Sequence, residues 1–344
     1  MEMLKKLNVD FDDLSTLSND FELKCKEANK LVYLSCPVKI RNKKFYNFFK
    51  ENNAIIYEGY NCKIIVENNN FKLFINNRVY EVSFLIDSTI NITPTFNGLL
   101  CNVNGSSICG KIKNIDNLSI RCNNRFLSLM IENNLPLFII APLFSNNNNF
   151  NYLVPIEYQQ QNNEILFSIN SSESNENNKL FFEITSYTEK CIFDTIVEEK
   201  RADRNNIFTP ISNVSKNENV LFRFNFIKFN KLVDKKIDKA FLYLKAFSSL
   251  DSHAFYIKTI QSIWCSVATT WNNLPIFSND NLNDKCEMFD DYLKIDITDY
   301  LSDFSNLSNI NNQGFILFAK TNNNLLCLSD CYAYPTIIEI ITKM

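Results

Sequence analysis

Cysteine is the residue type in this sequence that offers the most chemistry. Eleven cysteines are present, at positions 25, 36, 62, 101, 109, 122, 191, 265, 286, 327 and 331. Because eleven is an odd number, complete internal pairing would leave at least one thiol for a partner molecule. The alternative interpretation is that the cysteines are reduced and buried, where they act as small apolar side chains.

Metal binding and catalysis gain little support from the spacing of the other reactive residues. The sequence has no C-x-x-C pair, and its closest cysteines are Cys327 with Cys331 and Cys101 with Cys109, so a zinc site is not predicted. The single histidine, His253, has no catalytic motif around it. We therefore predict that the protein is not an enzyme and has no catalytic residues.

Paired acids are the feature that could hold an ion. Asp290 with Asp291, and Asp296 with Asp299, could bind a structural calcium in a loop, or could cap and solubilise turns. No other metal and no organic cofactor is predicted.

Composition limits the fold and the class of partner. A chain of 344 residues that is 46% hydrophobic can bury two cores of ordinary size. Its 35 basic and 38 acidic residues give a net charge of −3, so no basic field gathers phosphates and nucleic acid is not an expected partner. The longest apolar run, residues 135–144, contains two prolines and is too short to span a membrane. Residues 1–24 lack the apolar core of a secretory signal, and we expect synthesis in the cytosol.

Strand signals dominate the sequence and predict an all-β protein. Short segments of apolar and β-branched residues recur at 62–66, 71–75, 79–86, 126–131 and 165–169. Asn-rich turns separate them, as at 67–70 and 76–77, because Asn tolerates the positive φ of tight hairpins. Amphipathic helices are predicted only at 11–23 and 38–50.

A polar run divides the chain into two predicted domains. Residues 170–179 (NSSESNENNK) contain no apolar side chain and are therefore predicted to be a linker. The predicted organisation is an N-terminal arm at 1–24, an N-terminal β domain at 25–169, the linker, and a second β domain at 180–344.

The second half carries an ordered series of landmarks. These are 220–226 (VLFRFNF), 237–246 (IDKAFLYLKA), 263–275 (IWCSVATTWNNLP), 293–301 (LKIDITDYL), 314–317 (GFIL) and 335–341. In order and spacing they resemble the DNRLRE-domain family, whose signature W-x-E-x-x-x-T-W-N-x-x-P is matched at Trp264, Thr270, Trp271, Asn272 and Pro275. The resemblance covers about residues 181–344 and implies a jelly-roll-like antiparallel sandwich, similar to carbohydrate-binding modules.

The family's acidic position is occupied by Ser266, two residues after the first tryptophan, with Cys265 between them. Two interpretations of the tryptophan segment stay open. Trp264 and Trp271 either pack a long loop against the sandwich, or form a sugar-stacking platform together with Asn272 and Asn273.

A surface-type module in a cysteine-rich chain without an export signal resembles the cysteine-rich exosporium lattice proteins of clostridia. The resemblance implies a self-assembling structural protein of a spore's outer layer, the exosporium or coat. Its partners would be copies of itself and other spore-layer proteins. Candidate intermolecular cross-links are Cys25, Cys36 and Cys109, since they lie near the N-terminal arm or beside Gly and Ser in predicted loops. The alternative function is a carbohydrate-binding surface module with a glycan partner.

Overall fold

The fold is taken from a computed structural model of the chain. The structure describes residues 2–9, 22–35, 47–52, 54–59, 62–75, 77–85, 90–95, 98–104, 107–122, 126–131, 135–145, 151–153, 155–170, 177–184, 192–202, 205–206, 216–225, 232, 235–246, 255–266, 268–302, 313–319 and 336–344.

Nearly all of the regular structure in these residues is β-strand. The strands are β1 Glu22–Lys24, β2 Lys30–Leu34, β3 Asn47–Glu51, β4 Ala54–Gly59, β5 Cys62–Glu67, β6 Asn70–Ile75, β7 Arg78–Phe84, β8 Ile90–Thr95, β9 Gly98–Asn104, β10 Ser107–Lys113, β11 Ser119–Cys122, β12 Leu127–Ile131, β13 Leu135–Ser145, β14 Asn151–Leu153, β15 Ile156–Gln161, β16 Glu164–Asn170, β17 Asn177–Ile184, β18 Ile192–Glu198, β19 Asn205–Asn206, β20 Glu218–Phe224, β21 Ile237–Lys245, β22 Phe255–Thr259, β23 Cys286–Phe289, β24 Tyr292–Asp296, β25 Phe315–Ala319 and β26 Ile337–Thr342. Short α-helices lie at α1 Glu2–Lys6 and α2 Thr298–Ser302, and single 3₁₀ turns at Glu199–Arg201, Trp271–Asn273 and Asn283–Lys285.

Two antiparallel sheets form an N-terminal sandwich. Sheet I has eight strands in the order β15-β16-β10-β7-β6-β5-β4-β3, and sheet II has seven, in the order β11-β12-β13-β17-β9-β8 with β14 added beside β13. Burial alternates along strands such as β5, β7 and β16, since every second side chain faces the other sheet. One apolar cluster, including Phe71, Phe138 and Phe182, fills the space between the sheets.

Two further sheets form a C-terminal sandwich. Sheet III has the order β1-β2-β26-β21-β24-β23, and sheet IV the order β19-β18-β20-β25-β22. From β20 to β26 the chain passes back and forth between these sheets, and the side chains that face inward, such as Phe222, Leu242 and Phe315, share one core. The all-β sandwich architecture predicted from the sequence is confirmed.

The sheets do not follow the domain limits drawn from the sequence. β2, predicted to belong to the N-terminal domain, pairs with β26 from Lys30↔Ile341 to Leu34↔Ile337 and is part of sheet III. At the other limit, β17 begins inside the predicted linker and pairs with β9 and β13 of sheet II. The physical reason is that strand partners are selected by facing side chains far apart in sequence, which a local polar run does not report.

Local predictions agree with the structure where the pattern has period two. The strands predicted at 62–66, 71–75 and 165–169 correspond to β5, β6 and β16. Asn68 and Asn77, in the predicted Asn-rich turns, have φ of +51° and +63°. The helix predicted at 38–50 is wrong over its described end, where Asn47–Glu51 is a strand, and the helix predicted at 11–23 ends in β1, with its other residues outside the described ones.

The described residues include no helix of the length and apolar character needed to cross a membrane.

Gly314 has a backbone conformation that only glycine accommodates at this position. Its φ is +81°, and an added Cβ would lie 1.9 Å from the Phe222 carbonyl oxygen. We expect Gly314→Ala to lower the free energy of unfolding by about 2–4 kcal/mol, because strain and a backbone clash add. Urea denaturation measures this change, and Asn68→Gly, at a position where Gly relieves the positive φ, should change stability by less than about 1 kcal/mol. An unaltered Gly314→Ala variant would contradict the described turn.

Candidate functional site

Cys109 lies on the outer face of sheet I. Along β10, Ile108 points into the core, whereas Cys109 is half-buried on the opposite face. Cys109 stands directly opposite Ser168 of β16. Its carbonyl accepts the backbone N–H of Leu85 at 2.8 Å, and the Leu85 side chain is 57% exposed. A thiol on β10 and an exposed apolar residue directly after β7 are therefore neighbours at this sheet.

The placement of Cys25 differs from the exposed arm expected from the sequence. Cys25 is only 8% exposed, in an apolar cluster with Leu7, Leu23 and Val32 on the outer face of sheet III. Helix α1 completes this cluster because its Met3 packs there too. Burial raises the pKa of the Cys25 thiol to about 12. The position argues against Cys25 as a cross-link, since the thiol is both enclosed and protonated.

The other cysteines are buried, half-buried against a core, or outside the described residues. Cys36, the third candidate cross-link, lies outside the described residues, as do Cys327, Cys331 and His253. Cys101 is enclosed in the N-terminal core, and burial raises its pKa. Cys286 is half-buried, its Sγ donates to the Leu282 carbonyl at 3.4 Å, and burial raises its pKa to about 12.

A buried ion pair joins the two sandwiches. Glu183 comes from β17 of sheet II and Arg223 from β20 of sheet IV, and both side chains are fully buried in contact with each other. Phe182 and Ile184, on either side of Glu183 in β17, point into the core. The Glu183 carboxylate therefore projects from the outer face of sheet II. Arg223 leaves the outer face of sheet IV in the same way, between Phe222 and Phe224 of the core.

A loop that follows β22 encloses this pair. Ser266 donates its backbone N–H to Glu183 Oε2 at 2.7 Å, its hydroxyl donates to the same oxygen, and the Cys265 thiol donates to it at 3.6 Å. Arg223 Nη1 donates to the Trp264 carbonyl at 2.8 Å. Glu183, which comes from strand β17, thus places a carboxylate against Ser266 of the loop.

Aromatic rings cover the guanidinium on two sides. The Arg223 Cζ atom lies 4.9 Å from the Phe193 ring centroid and 5.1 Å from that of Trp264, distances typical of cation–π contacts. Burial lowers the pKa of Arg223 to about 10. The group therefore stays charged at neutral pH, and the carboxylate of Glu183 balances that charge.

The tryptophan segment packs rather than presenting two stacking faces. Trp264 is completely buried, and its indole N–H donates to the Gln313 carbonyl at 2.6 Å. Trp271 is half-buried against the same cluster. Asn273 uses its amide within the loop, accepting from the Thr270 N–H at 2.7 Å and donating to the Ala268 carbonyl at 3.1 Å. Of the proposed sugar platform, Asn272 alone has an exposed side chain.

The acids considered for calcium each have a different partner. Asp290 pairs with Lys6, Asp291 with Lys245 and Asp299 with Lys285. Asp296 accepts the backbone N–H of Thr298 at 2.9 Å, at the start of α2. The arrangement is that of turn and surface acids, and within the described ranges no cluster of three or more His, Cys, Asp or Glu residues could hold a metal.

A shallow groove lies at the far end of sheet I. Its volume is about 420 Å³ and its lining includes Ile56, Ile65, Glu51 and Glu67. The carboxylates stand at hairpin ends, and the lining contains no nucleophile or base beside them.

The comparisons with known proteins leave the chain without an assigned family. No family model and no curated protein matches it. Among solved structures, the N-terminal domain of the Streptococcus gordonii adhesin Sgo0707 aligns over 96% of this chain and 87% of that chain, at 9% identity and a TM-score of 0.16. A TM-score this low carries no argument. The resemblances to the DNRLRE-domain family and to clostridial exosporium proteins stay predictions.

Sequence reasoning missed Leu85 beside Cys109 and Glu183 at the junction of the sandwiches. Leu85 follows β7, and the segment predicted there continued through residue 86 as one ordinary strand. Glu183 is the one charge in the apolar end of β17, FFEI, and that isolation was the available signal.

Removing one partner of the buried pair leaves an uncompensated charge inside the protein. We expect Glu183→Gln to lower the free energy of unfolding by about 3–5 kcal/mol, whereas Glu287→Gln, in the exposed pair with Lys294, costs under about 1 kcal/mol. A combined Glu183→Gln and Arg223→Met change should recover part of the loss. Chemical denaturation measures all three variants, and equal losses in the buried and exposed variants would contradict the pairing.

Thiol reactivity should follow the burial of the cysteines. A pKa near 12 leaves only about one thiol in 10⁴ ionised at pH 8, so Cys25 and Cys286 should react slowly in the native protein. We expect iodoacetamide to modify Cys109 well before either of them, as read by peptide mass spectrometry. In urea the three rates should converge. Native labelling of Cys25 as fast as that of Cys109 would contradict the described burial.

Proposed function

We propose that the protein is a non-enzymatic structural protein that assembles with copies of itself and is cross-linked by disulfides through Cys109. The observation that carries this proposal is the position of that thiol, half-buried on the outer face of the eight-stranded sheet I, beside the exposed Leu85. A partner surface reaching this face meets an apolar contact and a thiol together.

The rigidity of the body supports the same proposal. A subunit of an ordered array must hold its contact surfaces at fixed angles. A hinge between its halves would let those angles vary from copy to copy. Here the outer faces of sheets II and IV are fastened by a buried ion pair and by an apolar cluster that joins Ile139 and Phe181 to Ile263 and Ala268. The contact surfaces of the two sandwiches therefore keep a fixed relative orientation.

Cross-linking adds a covalent bond to contacts that are already made. Two Cys109 thiols on neighbouring copies lose two protons and two electrons as the S–S bond forms. The electron acceptor is dioxygen, which becomes hydrogen peroxide, or a small disulfide, which thiol–disulfide exchange reduces to its two thiols. Because the thiols are held on folded bodies, the bond makes dissociation of the existing contact unfavourable.

The cellular setting in this proposal is the outer layer of a bacterial spore, the exosporium or coat, after synthesis in the cytosol. Support for it comes from the resemblances stated above and from the cysteine content. We do not propose the alternative, a carbohydrate-binding surface module, because Trp264 is fully buried and Asn273 bonds within its own loop.

Electrophoresis with and without reductant tests the cross-link. After exposure to air we expect the natural sequence to form reducible dimers, and Cys109→Ser to lose most of them. Cys286→Ser is the matched control, because its half-buried thiol has a raised pKa and should not take part. One linking cysteine per chain gives only dimers, so longer ladders require a second cysteine, and Cys36→Ser should then shorten them.

Two results would overturn the proposal. The first is a natural protein that remains monomeric and fully reduced after oxidation. The second is a Cys109→Ser variant that forms as much reducible dimer as the natural protein.

A further inference from the structure

One edge of sheet I is formed by β15, a strand with the sequence IEYQQQ. Five consecutive residues, 157–161, are exposed. Since side chains alternate between the two faces of a sheet, exposure at every position places both faces of this strand in solvent. In the described part of the chain its strand partner is β16 alone.

Alternate residues of β15 direct their backbone groups away from β16. The two strands are joined by a two-residue turn at Asn162 and Asn163, so the flanking Gln161 and Glu164 form a hydrogen-bonded pair. Tyr158 and Gln160 therefore direct their N–H and C=O groups toward the open edge. Ile156 has the same parity, and its carbonyl accepts the Cys122 thiol at 3.9 Å, away from β16.

The strand lacks the features by which natural proteins block a sheet edge. Lysine, proline and β-bulges are the usual protections. Residues 156–161 contain neither lysine nor proline, and their register with β16 is continuous from Ile156↔Ile169 to Gln161↔Glu164. Their single charge is Glu157. The edge is free of bulges, nearly neutral and able to accept another strand.

We propose that β15 pairs with β15 of a second copy of this chain, antiparallel about a two-fold axis at Gln159, so that two copies of sheet I become one continuous sheet. The inference rests on the proposed function, which is assembly with copies of itself, and it names the surface that makes the non-covalent contact. In this register Tyr158 stands opposite Gln160 of the partner subunit, and the two Gln159 side chains meet at the axis.

Charge selects the antiparallel arrangement. In it, Glu157 lies opposite Gln161 of the partner subunit, and the two Glu157 carboxylates are roughly 13 Å apart along the strands. A parallel pairing in register would place the two carboxylates side by side. Glutamine amides both donate and accept hydrogen bonds, so facing glutamines satisfy each other without a complementary charge.

The size of the contact sets its strength. A single six-residue strand pair buries far less than the roughly 1,200 Å² of a stable interface. We therefore expect a reversible dimer whose population depends on protein concentration, as suits a contact that is repeated many times in an assembly.

Sedimentation of the full chain in reductant tests the pairing. The natural sequence should dimerise reversibly, and Gln160→Pro, which removes an N–H directed at the open edge, should raise the dissociation constant by at least about ten-fold. Gln160→Thr is the matched control, because it keeps the N–H and favours strand structure, and it should dimerise as the natural sequence does. Circular dichroism shows whether Gln160→Pro remains folded.

Charged substitutions of Gln159, at the two-fold axis, test the same pairing without introducing a proline. Gln159→Lys should abolish self-association, because two lysines would face each other, while a mixture of Gln159→Lys and Gln159→Glu copies should restore a mixed dimer. A natural protein that stays monomeric up to its solubility limit in reductant would overturn the inference, as would variants that dimerise unchanged. Because reductant excludes disulfides, this outcome is separate from the oxidation test of Cys109.

Discussion

The contact between Glu183 and Arg223 is the constraint on which the two-sandwich body depends. Burying two charges has a large desolvation cost, and such a pair adds little stability over apolar packing. Its effect is on orientation. In the observed placement of the sandwiches the Glu183 carboxylate contacts the guanidinium and accepts from Ser266, while Arg223 Nη1 donates to the Trp264 carbonyl. A small shift of one sandwich against the other would leave a buried charge without its partner. The two sandwiches therefore keep one relative orientation.

The loop that carries Trp264 makes each sandwich depend on the other. Trp264 packs on Leu221 and Ile316 at the outer face of sheet IV. The loop residues Ile263 and Cys265 pack on the outer face of sheet II. The apolar residues of the outer face of sheet II, and the loop residues Ile263 and Cys265 that cover them, would be exposed if the sandwiches separated. The tryptophan segment in this loop serves packing, because the Trp264 indole and the Asn273 amide are hydrogen-bonded inside the protein.

Local sequence patterns predicted the strands, whereas the partners of the strands and the burial of the cysteines depend on long-range pairing. Alternating burial marks β5, β6 and β16, and Asn at positive φ marks the turns between them. Nothing local indicates that β2 joins β26, or that α1 folds over Cys25, because both contacts connect residues far apart in the chain. Cys109, predicted in a loop, is half-buried on strand β10, and Cys25, predicted at an exposed arm, is enclosed, since neighbouring Gly and Ser residues or nearness to a terminus say little about burial.

The two proposed contacts act in different directions, and their geometry determines what assembly they allow. A Cys109 bond joins copies across the outer face of sheet I, while pairing of β15 extends the sheet within its own plane. Between edge-paired copies the two β10 strands are five strand spacings apart, about 24 Å, which is beyond the reach of a disulfide. The disulfide must therefore link each copy to a third molecule. Two symmetric contacts that cannot close on the same pair would join more than two copies, and oxidation would then fix the assembly that the strand edges arrange.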